Sequence, residues 1–390
     1  MYNTRKTSVK TTTGRRIVLL GIAVLVVVGG IYFVSAQQIA IPAGIDEAEF
    51  GRARKLYVQR TQLQPNQMDV LSLLGELALH EKNLELAATC FEAIPVTQPK
   101  YGLAAKLHAG QIFIRLDRAL EAEENFRAFL DHAERALPED HPDVALARSW
   151  LCYLMAAELR FEDRKIVLAE QHAAGSASIN DSKQYYFPNL LIWNSSTARE
   201  RLRAFLKENP DDPQLNIAQG RYLMAEGKLE DAQSHLQEWL SRSSGDLACI
   251  AALLECNFER DDWSQIDQLM SVVPAISADE PWLLTLMRGQ SALHQKRWEE
   301  AESCFNTYLN NDPGSTAACM GLSRALTQLG RAEEAGHVQA RLLVLSKIRP
   351  QLTDVNQANP AAIEKLAREC DELQMRDAAQ SFRRHAQVFR

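Results

Sequence analysis

Hydrophobic and polar residues follow two different patterns along this chain. Residues 17–34 form a continuous apolar run without a single charged side chain. From residue 46 onward, small and aromatic residues recur at fixed spacings of about one, two or three helical turns, with charged residues between them. The pattern predicts one apolar helix followed by a long array of amphipathic helices.

The apolar run is long enough to cross a membrane. At about 1.5 Å per residue, a helix of this length nearly spans the roughly 30 Å hydrocarbon core of a bilayer. Residues 17–36 are therefore predicted to form a transmembrane helix or signal anchor. A cleaved signal peptide is the alternative, because Val34, Ser35 and Ala36 have the small residues that a signal peptidase accepts before cleavage after Ala36.

Charge on the two sides of this segment predicts its orientation. Residues 1–16 carry five basic residues and no acidic one, whereas the first charged residues after the apolar run are Asp46, Glu47 and Glu49. The positive-inside rule places residues 1–16 in the cytoplasm, and the rest of the chain becomes periplasmic or extracytoplasmic. Residues 37–45 serve as a linker, and the formal charge of −7 for the chain divides into +5 before the segment and −12 after it.

A repeat covers most of the remaining chain. One copy consists of Gly75, Ala87, Phe91 and Pro99, and a second copy has the same residues at the same spacing, namely Gly289, Ala301, Phe305 and Pro313. Weaker copies begin at positions 110, 152, 186, 220, 254, 323 and 367. The steps between positions 152 and 323 are all 34 or 35 residues.

This pattern resembles the tetratricopeptide repeat (TPR), a helix–turn–helix unit of about 34 residues. The resemblance implies an all-α fold over residues 46–390, a TPR-like α-solenoid that winds as a right-handed superhelix. It also implies a concave surface that is lined by the first helix of each unit. Small residues at the repeated Gly and Ala positions allow close helix packing, and the prolines end the second helices.

The unit around Tyr186 departs from the pattern. Pro188 falls where the first helix of that unit should continue, and a run typical of a loop precedes it at residues 175–182. A capping signal at Thr197 restarts the helical pattern. We therefore predict a joint between an N-terminal TPR block, residues 46–178, and a C-terminal TPR block, residues 179–390.

The exposed face of the first helices is the predicted partner-binding groove. Helical periodicity assigns eight residues to it, and the predicted partner is a protein or an extended peptide. These residues are Tyr153, Phe187, Leu190, Leu191, Arg221, Met224, Phe258 and Arg324. Phe187, Leu190 and Leu191 have a second interpretation, as core residues of an irregular unit.

Catalytic and metal-binding motifs are not found in the sequence. The seven cysteines form no CxxC pair, and Cys90 and Cys304 each precede the packing Phe of a unit, which predicts burial. We expect no enzyme activity, no cofactor and no metal site. The acidic balance also argues against a nucleic-acid partner.

The sequence therefore favours a membrane-anchored scaffold or adaptor that mediates protein–protein contacts during complex assembly at the cell envelope. One alternative is a cytosol-facing receptor of a translocation machinery, similar to mitochondrial import receptors. Some TPR proteins bind the C-terminal carboxylate of a partner with Lys, Asn and Arg side chains from adjacent first helices. The corresponding positions here include Ser72, Glu76, Ile217 and Ala252, which do not match, and this counts against the receptor alternative. The other alternative is a secreted TPR protein with a cleaved signal peptide. The sequence predicts neither the partner nor the oligomeric state.

Overall fold

A computed structural model describes residues 25–27, 30–32, 39–188, 196–243, 245–277 and 280–388. Two three-residue strands, β1 (Leu25–Val27) and β2 (Gly30–Tyr32), pair antiparallel within the predicted membrane segment. The rest of that segment lies outside the described residues, and the transmembrane helix predicted there is not shown. No helix in the described ranges is both long and apolar enough to cross a membrane.

The other described elements are nineteen helices, and the chain divides into two compact units, Met1–Val70 and Leu71–Arg390. The helices are α1 (Glu47–Thr61), α2 (Gln67–His80), α3 (Leu84–Glu92), α4 (Gly102–Arg115), α5 (Ala119–Ala136), α6 (Pro142–Ala157), α7 (Phe161–Ala173), α8 (Ile179–Tyr186), α9 (Ser196–Glu208), α10 (Pro213–Ala225), α11 (Leu229–Arg242), α12 (Leu247–Glu259), α13 (Trp263–Val272), α14 (Trp282–His294), α15 (Trp298–Asn311), α16 (Thr316–Gln328), α17 (Ala332–Gln351), α18 (Pro360–Glu372) and α19 (Arg376–Val388).

Helix α1 belongs to the first unit. The Asp46 side chain caps it by accepting hydrogen bonds from the backbone N–H groups of Ala48 and Glu49, at 2.8 and 3.1 Å. A carboxylate at this position satisfies donors that have no partner inside the helix and interacts favourably with the positive end of the helix dipole. Phe50 and Ala53 are the buried residues of this helix.

Consecutive helices of the second unit pack as antiparallel hairpins, and the repeated glycines explain how closely they approach. A Cβ atom built on Gly110 in α4 would lie 2.6 Å from the Phe126 ring in α5. The equivalent atom on Gly289 in α14 would lie 2.8 Å from the Phe305 ring in α15. No side chain larger than hydrogen fits there, which confirms the packing role predicted for the small residues.

The alanines predicted to pack the second helices are also buried. Ala87, Ala122, Ala232, Ala301 and Ala379 have essentially no exposed surface. All seven cysteines are buried, including Cys90 and Cys304 beside the packing Phe residues. The predicted repeat register is therefore the register of the hydrophobic core.

One predicted unit does not form a hairpin. Helix α8, which carries Tyr186, packs chiefly against α7 and against the last helix α19, whereas α9 packs against α6 and α10. The physical reason is local. Helix α8 ends at Tyr186, directly before Phe187 and Pro188, because proline lacks the backbone N–H that a continuing helix needs and clashes with the preceding turn. Helices α8 and α9 therefore do not form the helix pair that was predicted for the repeat around Tyr186.

Candidate partner-binding site

A cavity of about 450 Å³ opens on the inner face of the helix stack. Its walls are the first helices α10, α12, α14 and α16, and the turn between α6 and α7 closes one side. Four lining residues stand at intervals of 34 along the chain: Gln214, Ala248, Trp282 and Thr316. The cavity therefore lies on the surface where equivalent positions of successive repeats meet.

The turn between α6 and α7 is attached to this surface by Arg221. Its Nε donates to Glu255 Oε2 at 3.0 Å, and its Nη1 donates to the carbonyl oxygen of Leu159 at 3.3 Å. The guanidinium also lies 5.5 Å from the centre of the Phe161 ring. Leu159 has a φ of 56°, an uncommon backbone conformation for a bulky residue, so the hydrogen bond to its carbonyl helps to stabilise a strained turn.

A buried ion-pair network supports the same turn from the other side. Nη1 of Arg160 donates to Glu123 Oε2 at 2.6 Å and to Glu158 Oε2 at 2.8 Å, and Nη2 contacts Asp163 Oδ2 at 2.6 Å. Burial raises the pKa of Glu158 to about 7, against the opposing effect of Arg160. These contacts tie α5, α6 and α7 together and hold the cavity wall in place.

Glu162 on α7 caps a helix of the C-terminal repeats. Its Oε1 accepts a hydrogen bond from the backbone N–H of Trp282 at 2.5 Å, and the carboxylate also accepts one from the N–H of Leu283. The N-cap residue of α14 is Pro281, which has no capping side chain, so Glu162 satisfies donors that the helix itself leaves open. Burial raises the pKa of Glu162 to about 7.

Lys165, one turn further along α7, contacts the C-terminus of α15, the helix that follows α14. Its Nζ donates to the carbonyl oxygen of Asn311, the last residue of α15. The ammonium also lies 5.3 Å from the Trp282 ring centre and 5.4 Å from that of Tyr185. Burial lowers the pKa of this side chain. Helix α7 thus contacts the N-terminus of α14 and the C-terminus of α15 through two side chains.

Helix α8 packs against the segment that follows α17 and against α19. Lys183 Nζ donates to the carbonyl oxygens of Leu352 and Val355 at 3.1 and 2.9 Å, after the end of α17. Phe187 stacks on Phe382 of α19 with ring centres 6.4 Å apart. The contacts of α7 and α8 leave the cavity beside Phe161 open.

The predicted groove residues divide between several places. Arg221 lines the cavity, whereas Phe187 is fully buried in the core around α18 and α19, so its interpretation as a groove residue is wrong and its interpretation as core is right. Leu190 and Leu191 lie outside the described residues.

The other four predicted residues do not line the cavity. Tyr153 is partly exposed, and its hydroxyl accepts a hydrogen bond from Arg201 Nε at 2.9 Å. Met224 and Phe258 are half-buried against the core, and Phe258 meets Trp263 edge to face with ring centres 5.2 Å apart. Arg324 is exposed on α16.

Sequence reasoning missed the residues that share the cavity with Arg221. The available signal was the repeat itself: Glu255 follows Arg221 by 34 residues, and Trp282 follows Ala248 by 34. Phe161 carried no such signal, because it comes from another part of the array and reaches the cavity only through tertiary packing.

The comparisons with known proteins agree with this architecture. A tetratricopeptide-repeat family model matches residues 194–246 and 286–351. Over these two segments the chain is similar to tetratricopeptide repeats. They include α9 to α11, most of α14, and α15 to α17, and so contain all or most of three of the four first helices that form the cavity wall. No curated protein matches the chain significantly.

Several solved structures align with low similarity. A tetratricopeptide repeat protein from Parabacteroides merdae has 11% identity and a TM-score of 0.32, over 71% of this chain and 100% of that chain. A human IFIT1 dimer with m7Gppp-AAAA has 13% identity and a TM-score of 0.36, over 88% and 82%. The Cut9–Hcn1 hetero-tetramer of the APC/C has 12% identity and a TM-score of 0.32, over 86% and 81%. None of these similarities transfers a ligand or a partner to this chain.

The part of the chain that the structure describes contains no candidate metal site. No group of three or more His, Cys, Asp or Glu side chains there could hold a metal ion. The walls of the cavity beside Phe161 carry aromatic rings, small side chains and paired charges.

Proposed function

We propose that this TPR protein is a membrane-anchored scaffold that binds a peptide segment of a protein partner in the cavity beside Phe161. The observation that carries the proposal is the alignment of equivalent repeat positions, Gln214, Ala248, Trp282 and Thr316, along one open wall. TPR domains serve as protein-interaction scaffolds, and an extended peptide can contact several repeats at once.

The chemistry of the walls indicates which peptide would fit. Phe161 and Trp282 offer aromatic surface for an apolar side chain of the partner. Four carboxylates and two guanidinium groups line the cavity, namely those of Glu158, Glu162, Asp163, Glu255, Arg160 and Arg221. The excess of acidic groups favours a partner segment that carries a Lys or Arg next to its apolar anchor.

A cavity-filling variant tests this site directly. Ala248→Trp introduces at one repeat the side chain that the next repeat already carries at Trp282, so the fold should accept it while the opening is filled. The matched control is Ala340→Trp, at an exposed alanine on α17 away from the cavity.

The measurement is binding of peptides selected from a displayed random library against the full chain in detergent. We expect selected peptides to bind the wild type and Ala340→Trp equally, and Ala248→Trp at least about tenfold more weakly. Selected peptides that bind all three proteins with the same affinity would place the partner site elsewhere.

The anchor and its orientation form the second part of the proposal. The apolar run at residues 17–34, the five basic residues before it and the acidic residues after it support a single-pass arrangement with the repeats outside the cytoplasm. Protease added to intact spheroplasts should then degrade the repeats, while a cytoplasmic control protein survives. Protection of the repeats in intact spheroplasts would favour the cytosol-facing alternative. Release of the repeats by carbonate washing would favour a secreted protein.

A further inference from the structure

A second cavity, of about 320 Å³, lies between the end of α7, the loop before α8, and the last helix α19. Its polar lining includes two histidines, His172 and His385, together with Arg384 and Ser381. It shares no lining residue with the cavity beside Phe161. The inference below therefore does not depend on the proposed peptide site.

Two of these side chains are held in position by the surrounding structure. His385 Nε2 lies 2.9 Å from Ser182 Oγ, which in turn lies 3.1 Å from Ser381 Oγ. The His172 ring packs against Tyr185 and Tyr186, with ring centres 4.8 and 5.5 Å away. The two imidazoles therefore face the cavity with little freedom to turn away.

His172 also has a polar atom without a partner. Its Nε2 is buried and makes no hydrogen bond to any described residue. Buried nitrogen atoms of this kind are normally hydrogen-bonded, and in the tautomer that carries its proton on Nε2 this one needs an acceptor. A bound oxyanion would supply that acceptor.

The electrostatics of the cavity favour an anion. His385 and Arg384 both act on His172 as like charges, and burial is the largest of the causes that lower the pKa of both histidines. The carboxylate that opposes this effect is Asp181, whose Oδ2 already accepts a hydrogen bond from the N–H of Ser178 at 2.8 Å. Within the described residues no carboxylate forms an ion pair with Arg384, whereas its neighbour Arg383 pairs with Asp371.

We infer that this cavity binds a phosphate group, either as free phosphate or as a small phosphomonoester, through Arg384, His172 and His385. A guanidinium presents several N–H donors in a plane that suits phosphate oxygens. The two imidazoles add donors from α7 and α19 when they are protonated. A phosphate group has several oxygen acceptors and can accept hydrogen bonds from more than one of these side chains at once.

Calorimetric titration of inorganic phosphate into the full chain in detergent tests the inference. The informative variant is Arg384→Gln, at an exposed residue whose replacement leaves the core intact. Arg383→Gln is the matched control, because it removes the same charge one residue away and outside the cavity.

We expect saturable binding of one phosphate per chain, unchanged within about twofold in Arg383→Gln and at least about tenfold weaker in Arg384→Gln. Absence of saturable binding to the wild type would overturn the inference. An equal loss in the two variants would do the same, since it would reduce the effect to general charge attraction. Acetate binding as tightly as phosphate would overturn the assignment to phosphate.

Proton uptake provides an independent readout. The titratable and charged groups that face the histidines are Arg384, Asp181, Tyr185, Tyr186 and, for each ring, the other histidine. A bound dianion should favour the protonated form of both rings. Titrations at about pH 7 in buffers of different ionisation enthalpy should therefore show protons taken up with phosphate, and fewer in His172→Gln. Binding without proton uptake would contradict the assigned role of the histidines.

Discussion

Glu162 and Lys165 lie three residues apart on α7 and contact two helix ends of opposite dipole sign in the hairpin formed by α14 and α15. The Glu162 carboxylate accepts hydrogen bonds at the N-terminus of α14, and the Lys165 ammonium donates to the carbonyl of the last residue of α15. Because α14 and α15 are antiparallel, the positive end of one helix dipole and the negative end of the other lie on the same side of the hairpin. One turn of α7 therefore places an acidic side chain at the positive end of the α14 dipole and a basic side chain at the negative end of the α15 dipole.

Loss of the Glu162 carboxylate should destabilise the fold. In Glu162→Ala, the N–H groups of Trp282 and Leu283 lose their acceptor, and we expect the free energy of unfolding to fall by about 1 kcal/mol. Urea unfolding measures this change. Glu299→Ala, at an exposed residue of the first turn of α15, is the control, and an equal effect there would contradict the capping role.

The same carboxyl group should make stability depend on pH. Burial raises the pKa of Glu162 from 4.5 to about 7, so the folded state binds the proton more tightly than the unfolded state. Its contribution to stability is therefore fully present below about pH 4.5 and is lost as the pH rises through about 7.

The Glu162→Gln variant isolates this contribution, because glutamine cannot titrate. The free energy of unfolding of the wild type relative to Glu162→Gln should decrease between about pH 4.5 and about pH 7. Urea unfolding of both proteins over this range measures the difference. Parallel pH profiles would show that Glu162 does not titrate with a raised pKa.

Two glycines in helices should respond in opposite directions to replacement by alanine. At Gly110 the added methyl group would lie 2.6 Å from the Phe126 ring, and overpacking should lower the free energy of unfolding by about 1–3 kcal/mol. At Gly336, which has open space around it, the better helix propensity of alanine should raise it by about 0.5–1 kcal/mol. Thermal unfolding of the two variants gives the comparison, and a stabilising Gly110→Ala would contradict the packing described.

The seven cysteines should not react with thiol reagents in the folded protein. All are buried, and burial raises the pKa of Cys152, Cys249 and Cys370 to about 12, so few thiolates form near neutral pH. A thiol reagent should label the protein only after unfolding. An added surface cysteine, Ala340→Cys, should react at once under native conditions and show that the reagent is active. Rapid labelling of the native wild type would show that at least one thiol is accessible.

Much of the fold was predictable because each repeat determines its own packing. Gly110 and Phe126 are sixteen residues apart, as are Gly289 and Phe305, and each pair meets within a single hairpin. Contacts of such short range appear in the sequence as a fixed spacing, so a repeated spacing predicts repeated helices and a repeated core.

The candidate site was predictable only in part. Arg221 and its partner Glu255 keep the repeat spacing, and the register places both on the inner surface. Phe187 was assigned to the groove because its position was counted from a unit that does not form. Helix α8 ends at Tyr186, before Pro188, and then packs on α19 near the other end of the chain.

The sequence by itself determined the helices, their hairpin pairing and the residues that form most of the core, because these depend on contacts between near neighbours. Only the tertiary structure decided that α7 contacts the ends of α14 and α15 and that α8 packs beside α19. Those contacts join residues far apart in the chain, such as Lys183 with Val355, and no local spacing encodes them. The tertiary structure also determined which of the predicted groove residues line the cavity beside Phe161.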